Sequence, residues 1–444
     1  MYTTRRIRTL KGQQSMYLEI ESSEGNRYLF DGLSNDIYSL EPDFQIIEGT
    51  SREELGLPDI KRSVLPDIQT ELKVKNSAKT LIIELTEQCN LRCTYCVFDE
   101  SYPQERSHSS TKLNHCIAKQ KIDEFFERAR TDAYIIFYGG EPLLEFKEIV
   151  DLTNYAKALF KDRVKFSFTT NGMALTRDKF DFLISNNFLI TVSLDGYQKN
   201  HDSKRITING RPSWDKIMSN LQDLKGYDLN FYSSQLIINS VINSIDDLDE
   251  INKEVNSNDL LEGIDIRFSF PLQDSILETK KYNEFNNNHY DELKNIFLHK
   301  SFSDNSFYRD RLLPLVQKIA FRKIGDDAQE GKKKCVPFAN RTYIRSNGEM
   351  QFCERISSFN IVKDSDEILE ASHSIQDEFY AHKQDSCLEC FAYNFCELCP
   401  ASFYYEGSFH DKHTEICDNF RNEFLLSLKL YTDLSEKNLT FSKV

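Results

Sequence analysis

From residue 81 onward, short continuous apolar runs alternate with stretches whose apolar residues recur every three or four positions. The runs are Leu81 to Leu85, Tyr134 to Tyr138, Val164 to Phe168, Leu189 to Leu194, Phe231 to Val241 and Ile264 to Phe270. Between them, Ile149, Leu152, Ala156, Leu159 and Phe160 fall on one face of a helix, as do Phe180, Leu183 and Ile184, and later Ile217, Leu221 and Leu224. Thr176 and Ser213 stand where two of these helices want N-caps. Six strand-helix repeats of this kind predict an α/β fold, with a parallel sheet curled into a barrel or part of one. In such folds the chemistry sits at the carboxyl ends of the strands.

The flanks read differently. In residues 1–75, Met16 to Ile20 and Arg27 to Phe30 are strand-like and flank Ser23-Glu24-Gly25-Asn26, a hairpin turn, after which Pro58 and Pro66 punctuate a polar linker. These residues predict a small α+β accessory domain. The repeats predict a central unit over 78–275, Tyr282 to Ile324 a helical bridge within 276–330, and the cysteine-rich stretch a further unit over 331–420. A C-terminal helix and tail fill 421–444. Within 331–420, Thr342 to Arg345 and Glu349 to Cys353 flank Asn347-Gly348, a two-residue hairpin signal.

Length and charge narrow the class. A chain of 444 residues buries a large core, and a net charge of -15 makes a nucleic-acid backbone a poor partner. No apolar segment approaches the length that spans a bilayer, and Met1 to Leu10 is basic without an apolar signal region. Eleven cysteines without a signal peptide fit a reducing cytoplasm, where clustered cysteines are metal ligands or catalytic thiols. The nine histidines form no ligand-spaced cluster.

The densest chemistry follows the first apolar run. Cys89, Cys93 and Cys96 form a C-x3-C-x2-C loop, so a buried strand delivers three thiolates to its carboxyl end. Three thiolates hold a four-iron cluster by three irons and leave the fourth open to a non-protein ligand. A structural zinc site, the alternative, wants four protein ligands. The second run ends in Gly139-Gly140-Glu141-Pro142, two glycines that let backbone approach closely and a carboxylate suited to an ammonium group. Thr169-Thr170-Asn171-Gly172 and Ser193-Leu194-Asp195-Gly196 end the third and fourth runs.

Over Lys79 to Phe270 these motifs together resemble the radical S-adenosylmethionine (SAM) enzymes, whose fold is a partial (β/α)6 barrel. The resemblance implies that Cys89, Cys93 and Cys96 bind a 4Fe-4S cluster whose open iron is chelated by S-adenosylmethionine. It further implies that Tyr95 flanks the adenine, that Gly139, Gly140 and Glu141, followed by Pro142, receive the methionine ammonium, and that Ser193 and Arg205 contact the ribose and carboxylate. Asn171 and Asp195 complete the implied cofactor site. In that family a reduced cluster splits the sulfonium and yields a 5'-deoxyadenosyl radical that removes an unactivated hydrogen atom; the protein positions the partners and excludes water.

The tail carries a second constellation of seven cysteines within 83 residues. It resembles the SPASM domain of radical enzymes that modify peptides, which implies two auxiliary iron-sulfur clusters, one held by Cys387, Cys390, Cys396 and Cys417 and the other by Cys335, Cys353 and Cys399. Structural zinc sites are the alternative. The second of those clusters would keep an iron for a substrate thiolate, which a metal deprotonates and holds still. Glu397 and Leu398 place two residues before Cys399 where the family pattern often has three; with Cys390-Phe391-Ala392-Tyr393 and Cys353-Glu354-Arg355 this looks most like maturases that install thioether bridges in ribosomally made peptides, of the sactipeptide and ranthipeptide type. Glu354 occupies the place of a proton-accepting aspartate in sulfatase-maturing relatives, and reads either as a base or as a hairpin carboxylate. Cys116, on the helical stretch Leu113 to Arg130, reads as packing.

The expectation is therefore a cytoplasmic enzyme acting on a precursor peptide and served by an electron donor such as flavodoxin or ferredoxin. Its N-terminal domain would bind the peptide's leader by adding a strand. Formylglycine formation of the sulfatase-maturase type, epimerisation and carbon-carbon cross-linking are the rival outcomes, and a zinc-stabilised interaction protein is the rival without catalysis.

Overall fold

The computed structural model describes residues 16–46, 51–60, 70–96, 108–241, 246–269, 315–324, 335–354, 362–396, 403–405, 408–409 and 414–437. Near the N-terminus β1 (Tyr17–Glu21), β2 (Arg27–Asp31) and β3 (Ile37–Leu40) form a three-stranded antiparallel sheet. The sequence shows its first two strands; the third is short and mixed in polarity. After α1 (Thr70–Asn76) comes β4 (Thr80–Thr86), then β5 (Leu91–Cys93), α2 (His115–Arg128), β6 (Ala133–Gly139), α3 (Phe146–Phe160), β7 (Val164–Thr170), α4 (Phe180–Ser185) and β8 (Leu189–Ser193). The order continues with α5 (Gln198–Lys204), β9 (Arg205–Thr207), α6 (Trp214–Tyr227), α7 (Leu229–Gln235), β10 (Leu236–Val241), α8 (Asp246–Ser257) and β11 (Asp265–Ser269).

Six parallel strands follow the order β11-β10-β8-β7-β6-β4, as the alternation of runs and helical stretches predicts. In β4 all but Thr80 are buried, which suits a strand covered on both faces. Phe137, Phe166 and Phe188 stack within the main core with centroids 5.4 to 6.4 Å apart. Helix α3 turns Ile149, Leu152, Thr153 and Ala156 inward but leaves Leu159 53% exposed, outside the stripe expected for it.

Three expectations are corrected. The run from Phe231 is not one strand, because Asp228 accepts from the Phe231 N–H and starts α7, so the strand begins only at Leu236. Thr176 and Ser213 occupy N-cap positions, yet neither side chain caps its helix; Thr176 bonds Asp178 and Ser213 bonds the Arg205 carbonyl. Cys116 is exposed rather than packed, in the first turn of α2, where its backbone N–H donates to the Asn114 cap.

The sheet also reaches further than the repeats foretell. β12 (Arg341–Ile344) lies parallel to β4, and β13 (Met350–Gln351) returns antiparallel to β12, so the Asn347-Gly348 hairpin extends the central sheet. Helices α9 (Ile368–Leu388) and α10 (Thr414–Glu436) follow; α10 begins seven residues before the expected 421 and carries Cys417. Most of the helical bridge lies outside the described residues, apart from a helical turn at 315–320. Leu18, Ile20 and Phe30 of the N-terminal sheet share a core with Phe391, Phe395, Phe424 and Leu428, which joins that sheet to α10 and the cysteine loop after α9.

Candidate active site

The cysteine loop is built against the end of the neighbouring strand. Gly140 N donates to Thr86 O and Glu141 N to Gln88 O, each at 2.8 Å, so the ends of β4 and β6 touch just before Cys89. A Cβ on Gly139, whose φ is +128°, would lie 2.2 Å from Thr86 O, and one on Gly140 would lie 2.3 Å from Gln88 O. Only glycine permits that approach.

Glu141 is fully buried and turns inward. Its Oε1 accepts from Leu143 N at 3.0 Å and from Thr170 Oγ1 at 2.7 Å, and its Oε2 accepts from Asn171 N at 2.7 Å. Burial lifts its pKa to about 7 against the pull of these three donors. Both oxygens thus tie the ends of β6 and β7 together, and the carboxylate does not stand open for an ammonium group as the sequence suggests. Asn171 carries the linkage onward: its Nδ2 donates to Asn90 Oδ1 at 2.7 Å and lies 3.6 Å from Cys89 Sγ, while its Oδ1 accepts from Met173 N.

Cys93 faces a different set. β5 and β9 form a two-stranded antiparallel ribbon in which Cys93 is registered opposite Arg205. Arg205 places Nη1 3.9 Å from Cys93 Sγ, pairs through Nε with Asp195 Oδ2 at 3.0 Å, and lies 5.2 Å over the Tyr95 ring. The Tyr95 hydroxyl donates to the same Asp195 oxygen, and Val241 N donates to the other at 3.1 Å. Burial works against the charge on Arg205, but Asp195, Tyr95 and Cys93 outweigh it and hold its pKa above the ordinary value. Ser193, half-buried, ends β8 in register with Asn239 on the same side of the sheet.

The three thiols interact electrostatically with one another. Burial pushes Cys89 to about 12 and Cys93 to about 11, with the Leu91 N–H easing the first and Arg205 the second. Among the described residues no three His, Cys, Asp or Glu side chains close on a single ion. A four-iron cluster takes one thiolate per iron, which spaces the sulfurs wider than the ligands of one ion. Three soft donors with N–H groups of Leu91 at 3.4 Å and Asn171 at 3.6 Å beside Cys89, and a guanidinium beside Cys93, fit such a cluster. The Nε–H of Arg205, buried and without an acceptor along its axis, fits a polar ligand beside it.

In the tail, Cys353, Cys387 and Cys417 pack against the main core and Cys390 against the second one, whereas Cys335 is exposed. Cys396 is partly buried at the end of the same loop, and Cys399 lies outside the described residues. Arg421, one helical turn beyond Cys417, donates to Asp418 Oδ1 at 2.5 Å and interacts electrostatically with Cys390. Glu354 is held by Arg341, whose Nη1 reaches its two oxygens at 2.7 and 3.0 Å, and accepts from the Cys353 thiol at 3.6 Å.

One residue the sequence reading passes over is His201. It is fully buried and bonded to both Asp195 and Ser213. Histidine spacing carries no trace of this, because its partners are a backbone N–H and a hydroxyl rather than metal ligands.

Residues 83–254 match the family model of the Radical SAM superfamily. A cysteine-type anaerobic sulfatase-maturating enzyme of Clostridium novyi is 30% identical over 253 residues, covering 53% of this chain and 65% of the relative. A serine-type enzyme of the same description from Bacteroides thetaiotaomicron is 30% identical over 156 residues, covering 34% and 37%. The chain thus spans less than two thirds of the length of these curated relatives. The solved structure described as native anSMEcpe with bound AdoMet and Cp18Cys peptide shares the fold, with a TM-score of 0.58 at 19% identity over 81% of this chain and 99% of that one. Helices long and apolar enough to cross a membrane are absent among the described residues. The matched residues include Cys89, Cys93 and Cys96, and the members of the superfamily they resemble use S-adenosylmethionine and a 4Fe-4S cluster.

Proposed function

We propose that this chain is a radical S-adenosylmethionine maturase that removes hydrogen from a ribosomally made precursor peptide and forms thioether links from the peptide's cysteines. The observation that carries the reading is the cysteine loop pinned to the carboxyl ends of β4 and β6, with Tyr95, Asp195 and Arg205 gathered beside Cys93. When bound, the cluster and cofactor supply a carbon radical able to take an unactivated hydrogen. The protein's own part is placement: Asn171 steadies the Cys89 end of the loop, and Arg205 the Cys93 end. Gly139, Gly140 and Pro142 shape the wall beside the loop, with Ser193 at the neighbouring strand end.

The cysteine-rich tail supports a peptide substrate and auxiliary clusters, and β3 supports leader recognition. Among the described residues β3 pairs only with β2, so its outer edge is open to an added strand. Electrons would come from a flavodoxin or ferredoxin.

Formylglycine formation is the second reading, favoured by the sulfatase-maturating activity named for the two curated relatives. Against it stands the Glu354–Arg341 pair, which turns both oxygens of that carboxylate to a guanidinium. Anaerobic reaction with the candidate precursor and mass spectrometry tests both. A product lighter by two hydrogens per bridge and resistant to thiol alkylation supports thioether formation, and an aldehyde that captures a hydrazide supports the second reading. Epimerisation leaves the mass unchanged, and a carbon-carbon link leaves the thiols alkylatable. Zinc without iron in anaerobically purified protein would replace all of these with a binding role.

A further inference from the structure

His201 is 0% exposed at the centre of a relay that joins three segments. Its Nδ1 accepts from the backbone N–H of Asp195 at 3.1 Å, at the end of β8. Its Nε2 lies 2.9 Å from Ser213 Oγ, and that hydroxyl donates to the carbonyl of Arg205 at 2.6 Å. A carbonyl only accepts, so the Ser213 proton is directed to Arg205 and the bond between His201 and Ser213 runs from Nε2–H to Oγ. The same tautomer leaves Nδ1 as the acceptor that the Asp195 N–H requires. Both ends of the imidazole are thereby fixed by groups that cannot exchange roles.

The surroundings keep the ring uncharged and still. Burial and then Arg205 depress its pKa to about 4, against the pull of Asp195 and Asp202. Asp202 is itself engaged, because its Oδ1 accepts from Ser213 N and Trp214 N at 3.0 Å each. The Trp214 ring closes the site edge-on, 5.4 Å from the imidazole. What the relay holds at its two ends, Asp195 and Arg205, is the ion pair that lies against Tyr95 and Cys93.

We propose that His201 is a positioning residue for the cofactor pocket: a neutral imidazole that locks the Asp195–Arg205 pair in place, so that a zwitterionic sulfonium meets a preset guanidinium beside the cluster. The inference rests on the reading of this pocket as the S-adenosylmethionine site. Groups that orient a site from behind typically contribute roughly ten- to a hundred-fold to affinity or activity.

The test uses the full chain, reconstituted anaerobically, with the wild type compared to His201→Ala, His201→Asn and Ser213→Ala. Iron per chain, thermal melting, S-adenosylmethionine affinity and the electron paramagnetic resonance of the reduced cluster with and without S-adenosylmethionine are measured. Expected are wild-type iron in all four proteins, roughly ten-fold or greater loss of affinity and a blunted spectral response in His201→Ala. His201→Asn, which keeps an acceptor for the Asp195 N–H, recovers part of the response. Ser213→Ala, the mildest change in volume, falls between wild type and His201→Ala and serves where the histidine variants do not fold. A responsive wild type with Ser213→Ala and any folded His201 variant equal to it overturns the inference alone. A cluster-loaded wild type that shows no response to S-adenosylmethionine overturns the pocket reading, and the inference with it.

Discussion

Asn394, between Cys390 and Cys396, donates through Nδ2 to the carbonyl of Gly32 at 3.1 Å and to Asn35 Oδ1 at 3.0 Å, so the turn after β2 is tied to a cysteine loop 362 residues away. The contact is close on the backbone side too, where a Cβ on Gly32 would lie 2.4 Å from Phe391 O. Phe30, Phe395 and Phe424 fill the space beneath, with centroids 4.6 to 6.2 Å apart.

Gly32→Ala therefore overpacks two backbones and costs about 1–3 kcal/mol. Hydrogen exchange is expected to rise both in residues 27–40 and in residues 387–396. A rise confined to the sheet would argue against the clasp.

Glu141 gives a pH signature. Its pKa in the folded chain, about 7, lies above the ordinary carboxyl value of 4.5, so the proton it retains on folding favours the folded state at low pH. That contribution is full below about pH 4.5 and is lost as pH rises through about 7, a difference of about 3 kcal/mol. Glu141→Gln removes the slope. It also sets an amide N–H against the N–H of Asn171 or Leu143, costing about 1–3 kcal/mol at all pH values. Chemical denaturation at several pH values between 4.5 and 8 reads both effects, and an unchanged slope in the variant would assign it elsewhere.

Asp195→Asn leaves the Arg205 guanidinium buried beside Cys93 without its counter-charge. Breaking a buried pair from one side costs about 3–5 kcal/mol. Arg52→Gln at a second buried pair, with Asp31, is expected to cost a comparable amount, because Asp31 is 0% exposed and Arg52 meets both its oxygens at 2.6 and 2.9 Å. Denaturant titrations compare the two, and a loss under about 1 kcal/mol in either would mean that water reaches that pair.

Alanine at Cys89, Cys93 or Cys96 is expected to abolish the cofactor-responsive cluster while the tail keeps its iron, because the two constellations are held by separate loops. Iron and sulfide per chain, with spectra before and after S-adenosylmethionine, separate them. Loss of all iron from any one variant would show that the clusters assemble together.

The parallel sheet and the three-cysteine loop at its first strand end are legible in the sequence because both are local. Continuous apolar runs such as Leu81 to Leu85 report burial on both faces, and the loop follows its strand within four residues. The helix of Leu229–Gln235 was hidden because its apolar residues, Phe231 and Tyr232, also suit a strand. Which way Glu141 points, that Cys93 faces Arg205 112 residues later, and that β12 adds to β4 were decided by the tertiary structure. Each depends on the register between distant segments and on which buried donor finds which acceptor, and neither leaves a periodicity in the chain. His201 makes the same point: its residue type is visible, but the neutral relay exists only because β8, β9 and α6 bring a backbone N–H, a carbonyl and a hydroxyl around one imidazole.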